Sequence, residues 1–147
     1  MVTVPAMQAH AERLCEEHDI VWRRHDSRSR RAYALPEFEE IHTPPIRGAV
    51  SYAVVMHEIG HVLGRYQRSR SVLVREDWAW RWARRNALLW TPQMERCATR
   101  SLGWYVSLAA PEIHPITGGA GQTVNSDGCD YSPIQILVRA PHTAERS

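Results

Sequence analysis

Val55-Met56-His57-Glu58-Ile59-Gly60-His61-Val62 is an apolar run broken by two histidines, a glutamate and a glycine. On an α-helix each residue advances by about 100°, so His57 and His61 lie about 40° apart, one turn above the other, and both imidazoles can reach one ion. Glu58 follows about 100° further round, near enough to serve a water on that ion without being forced to ligate it. Neutral imidazoles suit zinc, and a carboxylate beside a zinc-held water suits proton abstraction. The spacing thus supplies two ligands, His57 and His61, and a general base, Glu58. A buried helix with two core histidines and a pair of packing glycines satisfies the same pattern, so the stretch needs a third ligand to decide between the two.

The neighbours on the same helical face are small. Ala53, Gly60 and Gly64 project within about 60° of His57, and each glycine inside a helix costs about 1 kcal/mol relative to alanine. A metal, a substrate or a closely approaching second helix would each use that open face. Downstream, residues 75–90 read REDWAWRWARRNALLW. Glu76, Ala79, Trp80, Ala83, Ala87 and Trp90 share one stripe at i, i+3, i+4, i+7 spacing, with Arg81, Arg84 and Arg85 outside it. A carboxylate heading an apolar face is costly to bury unpaired, and a metal removes that objection. Glu76 is therefore the expected third ligand, and an exposed first-turn acid favoured by the helix dipole is the other reading. Asp77 competes for the role but points toward the arginines.

HEIGH followed by a second helix beginning Glu76-Asp77-Trp78-Ala79, an E-x-x-A pattern, resembles the gluzincin metallopeptidases, in particular the minimal ImmA/IrrE-type branch of phage and mobile-element proteins. The stretch IHTPPIRGAVSYAVVMHEIGHVLG, residues 41–64, is similar to that branch's edge strand running into its active-site helix, and the resemblance spans roughly Ala32 to Trp90. It implies an α+β fold, with a short mixed or antiparallel sheet packed on a zincin-type active-site helix and two further helices. It also implies one catalytic Zn2+ held by His57, His61 and Glu76, with Glu58 activating water for peptide hydrolysis. Related gluzincins often carry Asp or Asn directly after the alanine, where it can support a ligand histidine. This chain has Trp80, whose indole N–H donates and cannot accept. Asp77 or a backbone carbonyl would have to take over that support. A catalytically inactive zinc-binding interaction or regulatory protein of phage or mobile-element origin is the alternative function.

The other residues bound these readings. The 147-residue length suits one compact domain, expected over 1–110, with 111–147 a loop-rich, partly disordered extension. All 18 basic residues are arginine, yet the formal net charge is only +2, which does not point to a nucleic-acid partner. Cys15, Cys97 and Cys129 form no CxxC pair and indicate neither a disulfide framework nor a zinc knuckle. With no apolar run long enough for a signal peptide or a membrane span, a cytoplasmic location is expected.

Helices are expected at 5–19, about 48–65, 74–89 and 92–108, with short strands at 20–22, 32–35, 40–44 and 134–138. The first helix is expected to turn Ala6, Ala9, Leu14 and Cys15 to the core. Pro44 and Pro45 make 40–44 an expected sheet edge, to which an extended peptide substrate could add near Ile41–Thr43. His42, Tyr52, Tyr66 and Tyr105 are candidate oxyanion or substrate contacts that no spacing rule separates. The tryptophans of 78–90 fit a core at helical spacing, and no covalent nucleophile arrangement is evident.

Overall fold

The computed structural model describes residues 1–26 and 31–109. The strand expected at 134–138 and the extension 111–147 lie outside the described residues. In chain order the elements are helix α1 (Val4–Glu17), strands β1 (Val21–Arg24) and β2 (Tyr33–Leu35), a 3-10 turn (Pro36–Phe38), strand β3 (Glu40–Thr43), and helices α2 (Ala49–Leu63), α3 (Val72–Asn86) and α4 (Pro92–Ala109). This is the expected α+β architecture, with a mixed sheet. Local chemistry sets the helix starts: Thr3, Ser71 and Thr91 hydroxyls accept from the Ala6, Val74 and Met94 amides at the heads of α1, α3 and α4. At the head of α2, Ser51 Oγ accepts from the Arg47 and Gly48 amides at 2.8 and 3.0 Å. No helix among the described residues is long and apolar enough to cross a membrane.

The sheet order is β1-β3-β2, with β1 parallel and β2 antiparallel to β3. This corrects the edge expected at 40–44, because β3 is the central strand. Its prolines lie just beyond Thr43, so they end the strand without removing any of the amides that Ile41, His42 and Thr43 offer to the ladder. Strand alternation sends Ile41 and Thr43, both fully buried, to the core face, where the Trp22 indole donates to Thr43 Oγ1 at 2.8 Å. Glu40 and His42 project from the opposite face. There Glu40 accepts from Arg23 and His42, and Tyr33 stacks on His42 at 4.4 Å.

Helix α1 turns Cys15 inward and packs Leu14 half-buried against the core as expected, but Ala6 and Ala9 are exposed and Met7, His10 and Ala11 are buried instead. Met7, Ala11 and Cys15 form an i, i+4, i+8 stripe, and the polar member between them has a buried partner. Tyr52 of α2 donates its hydroxyl proton to His10 Nδ1 at 2.8 Å and accepts the Leu88 amide at 2.9 Å, tying three parts of the chain together. The Leu88 amide uses one lone pair of the phenol oxygen, and a neutral His10 leaves Nδ1 free to accept the phenol proton. Burial, then the charge of Arg13, lowers the His10 pKa.

Two outcomes follow from this network. Tyr52→Phe leaves two polar groups without their partner and is expected to lower the unfolding free energy by about 1–2 kcal/mol in denaturant titrations. His10 binds a proton less readily folded than unfolded, so its contribution is full above the unfolded value of 6.5 and is lost as pH falls through the lower folded value. Stability should therefore decline as pH falls from about 6.5 toward the lower folded value, and the decline should be smaller in His10→Asn, as urea midpoints measured across pH will read.

Candidate metal centre

The centre is built by two helices held unusually close. A Cβ placed on Gly60 of α2 would fall 2.5 Å from the Ala79 carbonyl oxygen of α3, so only glycine fits where these backbones meet. Gly60 immediately precedes His61, and Ala79 lies three residues after Glu76. Contact between them brings the second turn of α3, which carries Glu76, onto the histidine face of α2. The small face on α2 thus serves helix approach at Gly60, and the buried stripe of α3 follows the expected one through Glu76, Ala79, Trp80 and Ala83, whereas Ala87 and Trp90 lie beyond the helix end at Asn86 and are half-buried.

His57 is fully buried, Glu58 and Glu76 nearly so, and His61 is 14% exposed at its side chain. The two Nε2 atoms are 3.1 Å apart, His57 Nε2 lies 3.1 Å from Glu76 Oε2, and His61 Nε2 lies 3.3 Å from Glu76 Oε1. Metal bonds of about 2.0–2.1 Å in a tetrahedral site place ligand atoms about 3.3–3.4 Å apart. The two imidazole nitrogens stand close to such an edge, while the contacts to Glu76 use different carboxylate oxygens; one ligand atom from each residue lies within 4.8 Å of the others, so this group could hold a metal ion. Its chemistry also demands positive charge. Two imidazole nitrogens and a carboxylate cannot face one another in a buried site without a proton or a cation between them.

Protonation follows from that geometry. Burial, then the charge of His61, depresses the His57 pKa to about 4, against the pull of Glu76. For His61 burial acts downward, but its hydrogen bond to Glu76 and the charges of Glu76 and Glu58 outweigh it, raising the value to about 9. Glu76 loses by burial and gains more from hydrogen bonds to both histidines, so its carboxyl is held well below the usual range.

The surroundings sort the remaining candidates. Trp80, fully buried, stacks on His57 with ring centroids 4.0 Å apart and planes 20° from parallel, so the ring is held by π contact on that side. Asp77 is engaged by Arg81 at 2.7 Å and does not join the group. His42 lies on the outer sheet face, Tyr52 is committed to the core, and Tyr66 packs against Trp78. Tyr105 of α4 is the tyrosine brought to the centre: burial, then the charges of Glu76 and Glu58 and a hydrogen bond with Glu76, push its phenol pKa up. One residue has no signal in the sequence, namely Gln67, whose Oε1 meets His61 Nδ1 at 2.9 Å. A glutamine in a polar connection is commonplace, and only the folded turn gives it this partner.

No protein-family model, curated protein or solved structure matches the chain. The reading of the centre rests on its own geometry.

Gly60→Ala is expected to destabilise the fold by about 1–3 kcal/mol through overpacking and to weaken metal uptake, because α3 must retreat from the histidines. Gly48→Ala is the control: a Cβ there meets nothing within 4 Å, and φ of 174° is extended backbone. Denaturant unfolding and metal titration of both variants distinguish the two glycines.

Proposed function

We propose that this protein is a zinc-dependent metallopeptidase in which His57, His61 and Glu76 hold one Zn2+ and Glu58 is the general base. The observation that supports it is the convergence of His57, His61 and Glu76, each offering a ligand atom within 4.8 Å of the others, beside the buried Glu58. Two imidazoles among three donors favour zinc over magnesium or calcium, which prefer all-oxygen shells. Zinc bound there would lower the pKa of a water toward about 7 and polarise a peptide carbonyl. Glu58 takes the proton of that water on its carboxylate and delivers it to the leaving amine nitrogen. Tyr105, whose phenol stays protonated beside two carboxylates, supplies a hydrogen-bond donor for the oxygen of the attacked carbonyl.

An extended peptide fits the reaction, but pairing near Ile41–Thr43 is not open to it, since β3 is bonded on both sides. Among the described residues, the outer edges of the sheet belong to β1 and β2. Strand β2 packs on α2, the helix of His57 and His61, whereas β1 packs on α1. Main-chain pairing of the substrate is therefore assigned to the outer edge of Tyr33–Leu35.

Purified protein is expected to carry one zinc by elemental analysis and to lose it in His57→Ala. Absence of zinc from protein prepared without chelators would overturn the proposal. Glu58→Gln should keep the zinc and lose peptide hydrolysis. Retained biological function in that variant would favour a zinc-holding regulatory or interaction protein. Tyr105→Phe should keep the zinc and lower kcat by about 10²-fold or more, as for the loss of one oxyanion donor.

A further inference from the structure

We infer that Gln67 is the positioning residue of the centre: it fixes the ring of His61 with Nε2 toward the ion and ties that ring to the backbone beside Glu76. The inference rests on the reading of His57, His61 and Glu76 as metal ligands. Gln67 lies in the connection between α2 and α3, and its amide makes three hydrogen bonds. Oε1 meets His61 Nδ1 at 2.9 Å, while Nε2 donates to the Arg65 carbonyl at 3.2 Å and the Arg75 carbonyl at 2.9 Å.

The two carbonyls decide the orientation of the amide. A carbonyl oxygen only accepts, so the NH2 end must face Arg65 and Arg75, which leaves the oxygen end for the histidine. An amide oxygen also only accepts, so His61 Nδ1 must carry a proton. With Nδ1 protonated, Nε2 is the nitrogen left to donate a lone pair to an ion, and it is the nitrogen that faces His57 and Glu76.

The backbone is shaped to deliver this side chain. Tyr66 adopts a positive φ of 59°, a left-handed conformation disfavoured for an aromatic residue, and the turn it makes carries Gln67 back under the end of α2. A Cβ on Gly64 would collide with the Gly60 carbonyl oxygen, whereas its 3.5 Å separation from Gln67 Nε2 is ordinary contact. Arg75 directly precedes Glu76, so one amide spans from the ligand on α2 to the backbone beside the ligand on α3. Gln67 thereby gives His61 an acceptor, while Trp80, whose indole N–H can only donate, meets His57 with its ring face.

The test compares Gln67→Met, which keeps length but offers no acceptor, with Gln67→Glu, which keeps an oxygen for His61 Nδ1 but turns its second oxygen toward two carbonyls. Zinc affinity is read by chelator competition, and exchange of the His61 Nδ1 proton by 15N-edited NMR of the zinc-loaded protein. Gln67→Met is expected to weaken zinc binding about 10–100-fold and to speed that proton's exchange. Gln67→Glu should recover most of the affinity while its thermal midpoint stays below wild type. Should the methionine variant not fold, Gln67→Asn, one carbon short of the ring, is expected to show the same loss. Wild-type affinity and proton exchange in Gln67→Met, with only a lowered thermal midpoint, would reduce Gln67 to a loop anchor and overturn the inference. Wild-type protein that takes up no zinc would instead overturn the metal reading itself, and the inference with it.

Discussion

Everything at the centre depends on the backbone of Gly60 touching the backbone of Ala79. Helices packed through ordinary side chains stand about 8–10 Å apart, and the contact here is tighter than any side chain at position 60 would allow. The distance between α2 and α3 in turn sets the gap between the imidazoles and the Glu76 carboxylate, which has to be correct to a few tenths of an ångström for shared coordination. Glycine's helix penalty of about 1 kcal/mol is the thermodynamic cost of that placement, offset by close packing along the two helices.

Burying Glu76 with two histidines is otherwise an expensive arrangement. A lone buried carboxylate costs several kcal/mol, and the group is tolerable because each member satisfies another and because positive charge, proton or ion, sits among them. Trp80 closes one side with a flat apolar wall against His57, while Gln67 holds His61 from the other. Exclusion of water by the indole strengthens the electrostatics inside. The two histidines are thus fixed by different physics, one by stacking and one by a directed hydrogen bond.

The features legible in the sequence were those governed by helical periodicity. His57, Glu58 and His61 follow from one turn of α-helix, and Glu76 from its position at the head of a stripe whose other members, Ala79, Trp80 and Ala83, are buried. Features set by tertiary geometry were not legible. Pro44 and Pro45 read as an edge because proline cannot donate to a ladder, but they fall outside the paired residues and β3 runs through the middle of the sheet. On α1 the sequence points correctly to Leu14 and Cys15, but Met7, His10 and Ala11 take the core positions expected of Ala6 and Ala9, and His10 looks polar until Tyr52 is placed beside it. Gln67 was invisible because its partners depend on a left-handed turn at Tyr66 that no residue type there announces.

All three donors lie within the segment from His57 to Glu76, on two helices joined by one short connection. An ion held there closes a short loop, for which the entropy of closure is small compared with that of assembling distant strands. The α2–α3 hairpin is consequently a unit that an ion can staple before the N-terminal sheet has formed. The same proximity lets the unfolded chain hold an ion weakly through these residues, so the stabilisation gained on loading falls short of the folded-state affinity by the amount the unfolded chain retains.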